Sequence, residues 1–116
     1  KRFWNYAPDE ETSFKNGAEV PYGTKGSVRP EYYKPGSSIE VKNYNVQTPA
    51  GRSNLVRNVS GQAKSRATNL PAGTRQEVYI DIRGQTVPRS DLNTMVNNIV
   101  TKSNGALKPG DIKFLR

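Results

Sequence analysis

The sequence predicts a mixed α/β fold, and three observations support this prediction. Residues 38–46 and 77–83 alternate apolar and polar side chains with the period of two that is typical of β-strands. Residues 48–69 and a second stretch beginning at Ser90 carry apolar side chains at helical spacing. Strands and helices therefore alternate along the chain, which indicates a mixed sheet with helices packed on it.

The length and composition indicate one small domain. With 116 residues, we expect a single domain over residues 1–116. Only 33% of the residues are hydrophobic, so the core is expected to be small. No apolar run approaches the length of a membrane span. The first residue is Lys1 rather than Met, and we expect the chain to be a fragment of something longer.

The N-terminal part predicts a short helix and then strand and turn. Pro8, followed by the acidic residues 9–11, fits the first turn of a helix, where the helix dipole favours negative charge. Residues 22–36 are rich in Gly and Pro and are expected to form strand and turn. The first clear strand follows at 38–46, with Ile39 and Val41 on one side.

The remaining elements follow from apolar spacing. In the helix 48–69, four side chains at steps of four, three and four share a face: Leu55, Val59, Gln62 and Arg66. The strand 77–83 presents Val78, Ile80 and Ile82 to the core. The second helix has this apolar stripe: Leu92, Met95, Val96, Ile99 and Val100. With a last strand at 111–116, the predicted order is α, β, β, β, α, β, α, β.

The composition excludes several kinds of chemistry. The chain has no His and no Cys, so it contains no Ser-His-Asp triad, no Cys nucleophile and no disulfide. A Cys/His zinc site is excluded too, and any metal site must use oxygen ligands.

The charge predicts a polyanionic partner. Lys and Arg number 18 against 10 Asp and Glu, a net charge of +8. The basic excess is marked between residues 52 and 89, and its members are candidates for a phosphate-tracking surface or, equally, for a solvated face: Arg52, Arg57, Lys64, Arg66, Arg75, Arg83 and Arg89.

Two acids and a lysine form the main catalytic candidate. Glu40 and Lys42 are two residues apart on one strand and project to the same side. A turn before this strand lets Glu31 reach the same spot. Two converging carboxylates repel each other unless a cation lies between them, and a hard divalent ion satisfies both. The alternative is that Glu40 and Lys42 form a solvated cross-strand face.

Pro30-Glu31 together with Glu40-Val41-Lys42 resembles the signature of the PD-(D/E)XK, or restriction-endonuclease-like, nucleases. The resemblance covers about residues 10–83. It implies an αβββαβ core, here followed by a C-terminal helix and strand. It implies that Glu31 and Glu40 bind Mg²⁺ or Mn²⁺ and that Lys42 is the catalytic lysine. Glu31 departs from the pattern, in which Asp is commoner at this position.

The resemblance also implies supporting residues. Gln62, on the helix after the catalytic strand, would support the site, and Arg66 one turn later would buttress it or hold a phosphate. The family often places a further acid on its first helix, and Glu19 is the candidate third ligand, with Glu10 and Glu11 as rivals.

The implied function is metal-dependent endonucleolytic cleavage of DNA or tRNA, with a slight preference for DNA. Lys25 and Arg29 flank the predicted site and are expected to contact phosphates. Two alternatives remain: a metal-independent ribonuclease toxin and a non-catalytic basic module that binds nucleic acid.

Residues 80–85, with Ser103-Asn104-Gly105 and the closing strand, look like the tail of a toxin domain. The chain thus resembles the C-terminal toxin domain of a bacterial polymorphic toxin, such as that of contact-dependent growth inhibition. This resemblance implies a secreted or cell-surface-delivered toxin that acts in the cytoplasm of a target cell. It also implies an acidic immunity protein as partner.

Overall fold

The predicted mixed α/β class is confirmed. The computed structural model describes residues 7–8 and 12–116. They form a five-stranded mixed sheet, a separate two-stranded hairpin and two α-helices. In chain order, the elements are β1 (Ala7–Pro8), β2 (Ser13–Lys15), β3 (Ala18–Val20), β4 (Tyr32–Lys34), β5 (Ser37–Lys42), α1 (Pro49–Asn69), β6 (Arg75–Asp81), α2 (Arg89–Lys102), a short 3₁₀ helix (Pro109–Asp111) and β7 (Ile112–Leu115).

The sheet combines antiparallel and parallel pairs in the order β1-β4-β5-β6-β7. The β1–β4 and β4–β5 pairs are antiparallel, and the β5–β6 and β6–β7 pairs are parallel. Parallel neighbours need a crossover connection, and α1 and α2 provide the two that this order requires.

The N-terminal part differs from the prediction. Pro8 lies in β1, opposite Tyr32 of β4, and is not in the first turn of a helix. The acids Asp9, Glu10 and Glu11 lie outside the described residues. The next described element is the β2–β3 hairpin, whose turn residues Asn16 and Gly17 have φ of 53° and 86°. Asn-Gly accepts such positive φ values readily, and this local preference favours a hairpin.

The strand predicted over residues 38–46 is shorter in the structure, where β5 ends at Lys42, and its polar residues Glu40 and Lys42 face the helices. Glu40 lies beside Val78 and Lys42 beside Ile80 on the neighbouring strand β6. Neighbours in register point to the same side of a sheet, and Val78 and Ile80 belong to the core that α1 and α2 cover. Glu40 and Lys42 are therefore carried at the side of the sheet on which α1 packs.

The two helices pack as their apolar spacing predicts. Thr48 caps α1 by accepting a hydrogen bond from the Gly51 N–H at 3.0 Å, and Pro49 occupies the first turn. The buried residues of α1 include both apolar and polar side chains: Leu55, Val56, Val59, Ser60, Ala63 and Arg66. Those of α2 are Leu92, Met95 and Ile99. An arginine on the buried face of α1 therefore has to find its partner inside the domain.

Two glycines of α1 predict opposite effects on stability. A Cβ at Gly51 would lie 1.9 Å from the carbonyl oxygen of Asn45, whereas one at Gly61 would meet nothing within 4 Å. We expect Gly51→Ala to lower the free energy of unfolding by about 2 kcal/mol through this clash. We expect Gly61→Ala to raise it by about 0.5–1 kcal/mol because alanine favours helix. Urea denaturation of both variants measures the difference, and a shift of the same sign in both would contradict the prediction.

Candidate active site

The β4–β5 hairpin brings Glu31 and Glu40 together. The last paired residues of the two strands at this end are Tyr32 and Ile39, so Glu31 follows directly beyond the ladder. The Glu31 N–H donates a hydrogen bond of 2.5 Å to Oε2 of Glu40. In return, Oε1 of Glu31 accepts one of 3.0 Å from the Val41 N–H. These two side-chain hydrogen bonds take the place of the next backbone pair between β4 and β5. They hold Glu31 and Glu40 close together.

Glu40 is a buried carboxylate in an ion pair. Only 8% of the residue is exposed, and its Oε2 lies 2.6 Å from Nη1 of Arg66. Burying two charges costs free energy, which close geometry and further hydrogen bonds offset. The solvated-face alternative therefore does not hold for Glu40.

Arg66 connects three parts of the site. Besides Glu40, it binds the loop before β4, because its Nη2 donates a 3.2 Å hydrogen bond to the carbonyl oxygen of Arg29. Its Nε is buried and has no hydrogen-bond partner within the described residues. With 6% of its surface exposed, Arg66 is placed to hold Glu40 rather than to bind phosphate at the surface.

Lys42 lies on the same side of β5, two residues after Glu40, and is partly buried. Burial lowers the pKa of its amine below the ordinary value. Glu40 and Glu31 oppose this shift with their negative charges, while the positive charge of Arg66 adds to it. A lowered pKa increases the share of neutral amine near pH 7, which suits a lysine to proton transfer.

Two carboxylate oxygens of this pair have no hydrogen-bond partner among the described residues. Oε2 of Glu40 is engaged by Arg66 and by the Glu31 N–H. Oε1 of Glu40 and Oε2 of Glu31 make no hydrogen bond to the described residues. Mg²⁺ is commonly held by one or two carboxylates, with waters and substrate phosphates completing its shell. No cluster of three potential ligand residues occurs in residues 12–116. Glu31 and Glu40 would therefore be the two ligands that this part of the protein supplies to the cation.

Two other predicted site residues lie apart from this pair. Glu19 is exposed on β3, opposite Phe14 of the hairpin. The prediction that it lies on a first helix is wrong, since the hairpin occupies this part of the chain; its rivals Glu10 and Glu11 lie outside the described residues. Gln62 is partly buried on α1, one turn before Arg66, and makes no hydrogen bond to the two acids. Of the two α1 residues expected to support the site, Arg66 contacts Glu40.

The predicted phosphate contacts Lys25 and Arg29 lie on the loop before the site. Both are exposed, and the guanidinium of Arg29 lies 4.4 Å from the ring centre of Tyr22. The loop is shaped by its own hydrogen bonds, among them Thr24 Oγ1 to the Pro21 carbonyl oxygen at 2.6 Å. The Arg66 hydrogen bond to the Arg29 carbonyl oxygen links the backbone of this loop to the residue that holds Glu40.

Several arginines of the predicted basic surface are paired with acids instead. These ion pairs are Arg52–Asp91, Arg75–Asp111 and Arg83–Asp81. The Arg83 guanidinium hydrogen-bonds Asp81 and lowers the pKa of that carboxyl. Fewer cations between residues 52 and 89 therefore remain without an acidic partner than the number of Lys and Arg residues suggests.

Within the described chain, neither helix is long and apolar enough to cross a membrane. Comparison with protein-family models, with curated proteins and with solved structures found no match. A function for this chain is therefore argued from the residues of the site themselves.

Proposed function

We propose that this chain is a metal-dependent endonuclease that hydrolyses phosphodiester bonds of DNA or tRNA. One observation carries the proposal: the Glu31 N–H donates a hydrogen bond to the carboxylate of the buried Glu40, the Glu31 carboxylate accepts one from the Val41 N–H, and the partly buried Lys42 lies two residues after Glu40 on the same side of β5. A solvated surface pair would show neither the burial of Glu40 nor the lowered pKa of Lys42.

Each residue has a distinct task in the proposed mechanism. Glu31 and Glu40 would hold Mg²⁺ or Mn²⁺, which lowers the pKa of a bound water and stabilises negative charge on the phosphate. Arg66 fixes the orientation of the Glu40 carboxylate by binding Oε2. Lys42 in its neutral form accepts a proton from the attacking water, and as an ammonium it stabilises the negative charge that develops on the phosphate.

The topology around the site supports the restriction-endonuclease-like part of the proposal. β4, β5, α1 and β6 follow one another in the order strand, strand, helix, strand, with Glu40 and Lys42 on the strand before the crossover helix. This order agrees with the last two of the three consecutive strands, the second helix and the final strand of an αβββαβ core.

The biological setting is part of the same proposal. We infer that the domain is a toxin of the contact-dependent growth inhibition type that acts in the cytoplasm of a target cell. Its net charge of +8 supports a polyanionic substrate and an acidic immunity protein that covers the site.

A cleavage assay tests the proposed function. The purified chain is incubated with plasmid DNA and, separately, with total tRNA, each with Mg²⁺, with Mn²⁺ or with EDTA. We expect cleavage of one substrate with either metal and none in EDTA. Cleavage in EDTA would favour the metal-independent ribonuclease. Salt-dependent binding with no cleavage of either substrate would favour the non-catalytic module.

A further inference from the structure

A basic groove runs between the two helices, outside the candidate active site. It is an open cavity of about 460 Å³, and we call it the helix groove. Its lining residues are Ser53, Arg57, Ser60, Gly61, Lys64 and Lys102. Three of these are cations with exposed side chains, two from α1 and one from α2. The lining contains no acidic and no aromatic residue.

The cations of the helix groove differ from most arginines of the described chain. Arg52, Arg75 and Arg83 each lie within ion-pair distance of an acid. Arg57, Lys64 and Lys102 form no ion pair among the described residues, and the Nη2 of Arg57 donates only to the Asn54 side chain, at 2.5 Å. Three uncompensated cations around one concave surface raise the local positive potential and attract a polyanion.

The groove floor contains a glycine that internal packing does not require. Gly61 lies in the interior of α1, where glycine disfavours the helix, and a Cβ there would meet nothing within 4 Å. The absence of a side chain leaves the helix backbone open to close approach by a bound group. The hydroxyl of Ser53, which also lines the groove, offers a hydrogen-bond donor of the kind that contacts phosphate.

We propose that the helix groove binds the sugar-phosphate backbone of a nucleic-acid duplex. The identity of this polyanion rests on the proposed nuclease function. Arg57 and Lys64 are seven residues apart on one helix, about 10.5 Å along its axis, so they contact different phosphates. Because no aromatic side chain is available for stacking on bases, the contact is with the backbone and is independent of sequence.

The groove and the candidate active site share α1. Arg66 projects from this helix onto Glu40 at the sheet, whereas Arg57 and Lys64 are exposed at the groove. Under this proposal the substrate is double-stranded DNA or a tRNA stem, held across α1 from the face that carries Arg66.

Binding of a fluorescein-labelled 20-base-pair DNA duplex, followed by anisotropy in EDTA at several NaCl concentrations, tests this proposal without cleavage. The groove variant is Arg57→Gln/Lys64→Gln/Lys102→Gln. The control, Lys34→Gln/Lys108→Gln/Arg116→Gln, removes the same charge at exposed positions elsewhere. We expect the groove variant to bind about tenfold more weakly at 0.15 M NaCl, with a salt slope smaller by about 2 to 3. We expect the control to change affinity by less than about threefold.

Three results would overturn the proposal. The first is an equal loss of affinity in both variants, which would show a general effect of net charge. The second is unchanged duplex binding together with lost binding of polyglutamate, which would make the groove a docking surface for an acidic protein. The third is unchanged duplex affinity in Gly61→Ala, for which we expect a higher Tm with severalfold weaker binding. Metal-dependent cleavage by the wild type is scored separately, so failure of the groove and failure of the nuclease proposal are distinguishable.

Discussion

Lys42→Ala is expected to lower the metal-dependent cleavage rate by about 10²–10⁴-fold, the range that a positioned acid–base group contributes. The variant removes the amine whose pKa burial lowers and which lies two residues from Glu40 on the same side of β5. Cleavage of the preferred substrate under saturating conditions gives kcat, and the loss is expected there rather than in KM, because Lys42 acts on the reaction itself.

The control for this variant is Lys34→Ala, which removes an exposed lysine from the adjacent strand β4. We expect it to cleave at a rate close to that of the wild type. Far-ultraviolet circular dichroism and urea denaturation check that both variants fold. Wild-type kcat in a folded Lys42→Ala protein would contradict the catalytic role of Lys42.

Arg66→Met is expected to lower the free energy of unfolding by about 3–5 kcal/mol, the cost of leaving a buried charge without its partner. In the wild type, Arg66 lies 2.6 Å from Oε2 of Glu40, with 7% and 11% of the two side chains exposed. For a small domain this loss is a large part of the total stability. Urea denaturation at pH 7 measures it.

Two comparisons separate this ion pair from simple loss of packing. Arg57→Met, which replaces an exposed arginine of the same helix, is expected to change stability by less than about 0.5 kcal/mol. Glu40→Gln/Arg66→Met is expected to recover much of the loss, because no unpaired charge remains. If Glu40 binds a divalent cation, Mg²⁺ should stabilise Arg66→Met more than it stabilises the double variant. Equal stability of Arg66→Met and the double variant would contradict the ion-pair argument.

Much of the regular structure could be predicted because its signals are local. The alternation along residues 77–83 predicted Val78, Ile80 and Ile82 in the core, and all three are buried. Of the predicted apolar stripe of α2, Leu92, Met95 and Ile99 are buried, while Val96 and Val100 are partly buried against the core. The spacing of apolar residues predicts whether a segment is a helix or a strand and which of its faces is buried, and it requires no knowledge of tertiary contacts.

The predicted N-terminal helix is wrong because pairing with β4 outweighed the local helix-start signal at Pro8. Pro8 followed by acids fits a helix start, yet the edge of β4 pairs with Ala7–Pro8 as a strand. Asn16-Gly17 is a strong hairpin signal that favours β2 and β3 in the segment that follows. Glu19 consequently lies on a hairpin strand, away from the two acids that it was expected to join.

The strand and helix periods and the closeness of Glu31 to Glu40 could be predicted because each depends on residues close together in the chain, and the basic charge follows from the composition. The resemblance implied a supporting role for Arg66, but its ion pair with the buried Glu40 is seen only in the folded chain. The fold likewise determines which cations of α1 and α2 remain without acids. Both outcomes depend on the parallel crossover, which sets α1 against β5 and beside α2, and no local pattern specifies that placement.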